Sequence, residues 1–345
     1  PLGAMGYKLY VLQYPLAGLI PAVSYRVDLG IQVDGHGDDI FASTYLPKTD
    51  SRQSISDEQN SSGVFAFAVQ SNGENRTATW RAENVRGNHS ILYTFDVRAE
   101  HLRYVIPPTM AIPRSYPKEF SEHLAATSGI QVNDPLIERE LRKIVPEQSP
   151  KLLDALTRIH RHLQDRFANR DFAGYTDAVT ALKLGEASCN GKSRLFAAMA
   201  RKLNIPARLA GGLVMKQGAK RVSHQWVEVY ANGHWVPFDT INDHFAELPA
   251  HYLRLYTGDL VLFKHTPNVN FQYFYKMTKR LVPRREAMAA LGSSPLNIMN
   301  VYAVFERVGI SQNLLKIILL LPLGALVTAV FRNVIGVQTF GTFLP

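Results

Sequence analysis

Cys189 is the only cysteine in a chain of 345 residues. His224 follows it by 35 positions (224 − 189), and Asp239 follows His224 by 15 (239 − 224). A thiolate can attack a carbonyl carbon, an imidazole can take and return the proton, and a carboxylate can fix the imidazole tautomer. Each residue alone has a plainer explanation. A lone cysteine is more often an inert core residue, a histidine at a strand start is more often a surface group, and Asp239 before Thr240 could cap a turn. A single cysteine also excludes an internal disulfide and any multi-thiolate zinc site. The pattern carries no metal-ligand spacing, and no cofactor is expected.

The elements that must position the three residues can be read locally. In "ASCNGKSRLFAAMARKLNIPAR", residues 187–208, Leu195, Met199 and Leu203 recur at helical spacing, with Phe196 and Ala200 beside them. The spacing predicts a helix from Cys189 through Lys202. A helix start presents free N–H groups and positive potential, and both stabilise a thiolate. Lys192 and Arg194 add positive charge nearby. In "SHQWVEVYANGHWVPFD", residues 223–239, two strands flank Asn232-Gly233, the strongest short hairpin signal. His224 begins one strand and Asp239 ends the next, so antiparallel pairing makes them cross-strand neighbours. His234, beside the turn, and His244 are rival imidazoles. Trp226 and Trp235, on the same strands, are read as core and groove wall.

Upstream, residues 1–24 divide into "PLGAM", which resembles a protease-cleavage remnant, and an apolar linker broken by Lys8, Gln13 and two prolines. Residues 25–115 alternate like strands, with turn signals at Asp34-Gly35, Gly37-Asp38, Asn72-Gly73 and Gly87-Asn88. This predicts an N-terminal β-sandwich, with the polar residues 50–62 as a loop. Prolines mark a boundary near residues 106–120. Asp134-Pro135 and Ser149-Pro150 then start two helices. Helices followed by an antiparallel sheet give an α+β domain over residues 116–285.

The remainder, residues 286–345, contains "IILLLPLGALVTAVF" (317–331), uncharged and bracketed by Lys316 and Arg332. Fifteen residues fall short of the ~20 that span a bilayer. Adding "NLL" (313–315) and letting Lys316 snorkel reaches about eighteen. The segment is expected to be a membrane helix with Arg332 at its cytoplasmic end, which places the folded domains outside the cytoplasm. Charged residues make up only 19% of the chain, and the net charge is 38 − 29 = +9. No helix-turn-helix, zinc-finger or RNA-binding signature accompanies that charge, so nucleic acid is excluded as a partner. Anionic lipid, which the basic run "KMTKRLVPRR" (276–285) could meet, or an acidic peptide remains.

The cysteine-led helix, the "NIPAR" turn, "HQWVEVY" and the following "W…D" strand together resemble the transglutaminase-like core, a papain-like thiol fold. That resemblance implies Cys189 as nucleophile, His224 as base and Asp239 as orienting acid. It also places Tyr175 where related enzymes carry an oxyanion-stabilising side chain. The strand-rich front, "FAELPAHYLRLYTGD" and the apolar tail resemble a bacterial inner-membrane family with a periplasmic transglutaminase-like domain fused to seven transmembrane helices. The implied activity is thiol-dependent cleavage of an amide or peptide bond, or transamidation, on a peptide or protein substrate. Two departures stand against it. Ala187 occupies a position where such cores commonly carry glycine, and the membrane-fused family is often described as inactive, which makes a peptide-binding or sensing domain the alternative.

Overall fold

Alternation of apolar and polar side chains draws the N-terminal third of the chain into sheet. In the computed structural model, which describes residues 22–170, 176–220 and 223–280, β1 spans Ala22–Leu46 and β2 spans Gln53–Ser61. β3 (Ala66–Asn72) turns back into β4 (Asn75–Glu100). The β1–β4 ladder sets Val27 beside Phe95, Leu29 beside Tyr93 and Ile31 beside Ile91, all buried. Register shifts between His36 and Ile40 bend this ladder. Gly87 lies inside β4 with φ +76°. Gly87-Asn88 is therefore a kink in one long strand rather than a reversal, because a single left-handed glycine bends a paired strand without breaking its ladder. Residues 50–62 are a second correction. Most of them form β2, at the sheet edge on β4. Their polarity reflects an edge strand with a solvated face, which composition alone does not distinguish from a loop.

Four α-helices follow among the described residues, after a short 3-10 turn at Lys118–His123. α1 (Pro135–Ile144) starts as expected, with the Asp134 carboxylate accepting from Leu136 N at 2.8 Å. α2 (Leu152–Arg166) begins with Lys151 at its cap, the residue that follows Ser149-Pro150, and has no side-chain cap. α3 (Ala178–Leu184) is capped by Asp177 and stopped by Gly185 at φ +67°. α4 (Cys189–Lys202) spans the predicted range. The chain then forms β5 (Ala207–Val214), β6 (Gly218–Lys220), β7 (His224–Ala231), β8 (His234–Asp239), β9 (His244–Phe245) and β10 (Tyr252–Thr257). The order β9-β8-β7-β5-β10 makes an antiparallel sheet with the expected hairpin at its centre. Finally β11 (Phe263–His265) and β12 (Asn270–Arg280) return to the first sheet, which has the order β2-β4-β1-β12-β6, with β3 on β4 and β11 on β1.

The separate strands expected of a two-sheet sandwich are thus one hydrogen-bonded sheet of seven strands, whose length comes from β1 and β4. Two cores result. The helices bury Leu156, Ile159, Phe196 and Met199 against Val227, Val229 and Phe238. The first sheet buries its own Val27, Leu29, Phe95 and Tyr275 together with Leu213, Leu253 and Leu255 of the second. Residues Ala22–Leu281 form one compact unit. Among the described residues no helix is long and apolar enough to cross a membrane. The apolar segment 317–331 and the linker before residue 22 lie outside the described residues.

Candidate active site

Cys189 is the first residue of α4 and is half-buried. Its Sγ lies 3.6 Å from Asn190 Oδ1. Ser188 precedes it in an extended conformation and makes no side-chain capping bond. The first-turn N–H groups therefore receive no hydroxyl from the residue that usually supplies one. Two contacts hold the helix over the hairpin, and a third ties it to the segments that follow β10 and precede α3. Ser193 Oγ donates to Gln225 O at 3.2 Å, next to His224. The Phe196 ring meets Phe238 at 5.4 Å. Arg194 donates to both Asp259 oxygens at 2.7–3.1 Å and to Thr176 O at 2.8 Å. The positive charge expected beside the thiol from Arg194 is thus matched by a carboxylate of its own. Lys192 is buried, which pushes its ammonium below the ordinary lysine value against the pull of Asp239.

His224 and Asp239 are brought together by the hairpin. Val227 and Phe238 are the last pair of the ladder; the same register continued past it sets 224 opposite 227 + 238 − 224 = 241, two residues beyond Asp239, where β8 has already ended. The two side chains are therefore diagonal neighbours on one face. His224 Nε2 lies 2.6 Å from Asp239 Oδ2. With Nε2–H donating to the carboxylate, beside Asn242 Nδ2 at 3.3 Å, Nδ1 is left for Cys189, which also acts on the ring. Burial pulls the imidazole down, but hydrogen bonds to Asp239 and Cys189 and their charges outweigh it and raise the ring to about 10. Burial would raise Asp239. The hydrogen bond and charge of His224, then Tyr252 and Asn242, instead hold it below the ordinary carboxylate range.

Two members of this cluster, Asn242 and Tyr252, are missing from the sequence reading. Asn242 donates to Asp239 Oδ2 at 3.0 Å and to the Tyr252 hydroxyl at 2.8 Å. The Tyr252 hydroxyl donates to the same Oδ2 at 2.6 Å. The one usable signal was "DTIND" after the strand, where an aspartate accepting from the next backbone N–H groups makes a turn. Asp239 Oδ1 does accept from Ile241 N at 2.9 Å and Asn242 N at 3.3 Å. Tyr252 arrives on β10, which reaches the site from beyond β5. Close backbone approach there depends on glycine, since a Cβ on Gly212, opposite His224, would lie 1.8 Å from Leu253 O.

Of the expected groove residues, Trp226 is fully buried and stacks under His224, with ring centres 6.4 Å apart and planes at 28°. It braces the imidazole from behind. Trp235 stands at the turn end of the hairpin, opposite Tyr230, with Arg208 4.2 Å over its ring, and is not brought to the Cys189 cluster. Tyr175 lies outside the described residues. Among the rivals, His234 is exposed and packs on Tyr104. His244 pairs with Glu247 at 3.3 Å and touches the Tyr252 ring edge-on. Among the described residues no three histidine, cysteine or carboxylate side chains are placed to hold a metal ion.

Three family models match the chain. Residues 140–240 match the transglutaminase-like superfamily core. Residues 7–132 match an inactive transglutaminase fused to 7 transmembrane helices. Residues 265–345 match the 7 transmembrane helices usually fused to an inactive transglutaminase. Among solved structures, a candidate cysteine protease from Cytophaga hutchinsonii is 16% identical, covers 76% of this chain and 92% of its own, and superposes with a TM-score of 0.61, which shows a shared fold. The periplasmic domain of TgpA from Pseudomonas aeruginosa, solved bound to ethylmercury, is 16% identical over 63% of this chain and 89% of its own, with a TM-score of 0.30. No curated protein sequence matches the chain.

Proposed function

We propose, for a chain of the transglutaminase-like family fused to seven transmembrane helices, thiol-dependent cleavage of an amide or peptide bond by Cys189, His224 and Asp239. The Cys189 thiolate attacks the amide carbonyl carbon, and the oxyanion forms beside the amides that open α4. The His224 imidazolium gives its proton to the departing amine as the C–N bond breaks, leaving a thioester on Sγ. The now neutral imidazole takes a proton from water, whose oxygen attacks the thioester; the C–S bond breaks, releasing a carboxylic acid and freeing Sγ, or a second amine attacks in place of water and completes transamidation. Asp239 keeps the ring in the orientation that turns Nδ1 to sulfur. The observation that carries this reading is the 2.6 Å Nε2–Oδ2 bond beside a cysteine at a helix start. The catalytic domain would face the periplasm from the inner membrane, with its anchor after residue 285. The net charge of +9 suits an anionic peptide.

A second reading has its own support, because two of the matched descriptions call the membrane-fused domain inactive. In that case the cluster is a relic in a peptide-binding or sensing module. Alkylation by iodoacetamide from about pH 5 to about pH 9 separates the two, since a free thiol ionises near 8.5. An activated Cys189 alkylates readily at about pH 6, and His224→Ala slows that reaction by roughly ten-fold or more. Alkylation only above about pH 8, unchanged by the substitution, would leave the binding module in front. A thioester captured from a peptide library by mass spectrometry would identify the acyl donor.

A further inference from the structure

We infer that Tyr252 is a positioning residue that tempers the pull of Asp239 on His224, and that the first sheet holds it in place through Arg52. The functional meaning of this rests on the thiol reading above, whereas its geometry does not. Three donors converge on Asp239 Oδ2: His224 Nε2 at 2.6 Å, the Tyr252 hydroxyl at 2.6 Å and Asn242 Nδ2 at 3.0 Å. The carboxylate is already oriented without the phenol, because Oδ1 accepts two backbone N–H groups and Asn242 grips Oδ2. What the phenol adds is electronic. An O–H donating to the oxygen that receives the imidazole draws charge from it, and a carboxylate so shared attracts an imidazolium less. Asn242 Nδ2 donates to the phenol oxygen in turn and polarises it further. Burial and the adjacent carboxylate push the phenol well above its ordinary value, so it stays a neutral donor. A ring that must return its proton to a leaving amine cannot be held too firmly in its charged form.

The second half of the inference concerns what fixes Tyr252. β10 is the edge of its sheet, and an edge strand carries unpaired backbone groups. Side chains of the first sheet, and Arg52 in the bend just before β2, meet them. Arg52 donates to Tyr252 O at 2.6 Å. Gln53 accepts from Arg254 N and donates to Arg254 O, both at 2.9 Å. Asn75 does the same at Thr257, at 2.8 and 2.9 Å. A side-chain amide offers the same donor and acceptor as a peptide bond, so Gln53 and Asn75 stand in for pieces of a missing neighbouring strand. Tyr252 is thereby pinned from behind while its hydroxyl reaches Asp239.

The test is the titration of His224 by NMR of the full chain labelled at the histidine rings, with the resonance assigned through His224→Gln. Cys189 of α4 and Asp239 of β8 act on this ring directly, and Tyr252 of β10 packs edge-on against it; Lys192 of α4 and His160 of α2 sense Asp239, and His244 of β9 touches Tyr252. Tyr252→Phe keeps the ring packing and removes only the donor. It is expected to raise the His224 midpoint by on the order of one pH unit. Arg52→Met should raise it in the same direction, and should add no shift in the Tyr252→Phe background. If Arg52→Met does not fold, Gln53→Met loosens the same edge and is read the same way. A midpoint unchanged or lowered in Tyr252→Phe overturns the role of the phenol. Equal shifts from the clamp substitution with and without the hydroxyl overturn the coupling through Arg52. Neither readout needs turnover, so slow alkylation of Cys189 beside a shifted titration would remove the enzymatic reading and leave this one standing.

Discussion

The imidazole of His224 lies between a thiol and a carboxyl, and both favour its protonated form. That has a consequence for stability with a definite sign. His224 is raised from 6.5 to about 10, so its contribution is complete below about pH 6.5 and is lost as the pH rises through about 10. Asp239 is depressed below 3.8, so its contribution is present above that value and is lost as the pH falls through the lowered one. Both are complete between 3.8 and 6.5. The difference in melting temperature between the native chain and Asp239→Asn should therefore be widest in that window and narrow toward about pH 10. A pH-independent difference, measured by calorimetry, would remove ionic pairing from the account. The pair was legible because it is separated by one hairpin. Asn242 was partly legible through its turn, and Tyr252 was not, because nothing local aims β10 at Asp239.

Among the elements, α4 is the most enclosed, buried on every side from Gly191 to Arg201. Leu195, Phe196 and Met199 are fully buried, each contributing about 1.5–3 kcal/mol by burial. Phe196 touches Phe238 on the strand that ends in Asp239. Phe196→Ala should cost about 3–5 kcal/mol, read from urea unfolding, and should slow Cys189 alkylation as the helix loses its seat on the hairpin. Loss of stability with an unchanged alkylation rate would separate the helix packing from the site. α4 and the β7–β8 hairpin could be bounded from sequence because each carries a clear period with its own start or turn signal. β2 could not, because an edge strand with a polar face reads as a loop. β4 could not be seen as one strand either, since Gly87 offers the same letters to a kink and to a turn.

The two sheets share more than a linker. Leu213, Leu253 and Leu255 belong to the second sheet yet lie in the core of the first, and β12 carries the chain back between β1 and β6. A fragment of residues 116–285 alone would strip cover from those leucines and leave β12 without β1. It should show no cooperative thermal transition and should bind a hydrophobic dye, whereas the full chain melts cooperatively. A sharp melt of the fragment would mean that the second sheet closes its own core. By itself the sequence determined the chemistry on offer and the elements that carry it: one thiol at a helix start, an imidazole and a carboxylate on paired strands, and helices preceding an antiparallel sheet. These follow from residue type and short-range periodicity, which act within one or two elements. Only the tertiary structure decided which groups share Asp239, that Arg194 is matched by Asp259, and that Arg52 reaches Tyr252 across 200 positions of sequence. Such contacts depend on how whole sheets pack, and no local pattern encodes them.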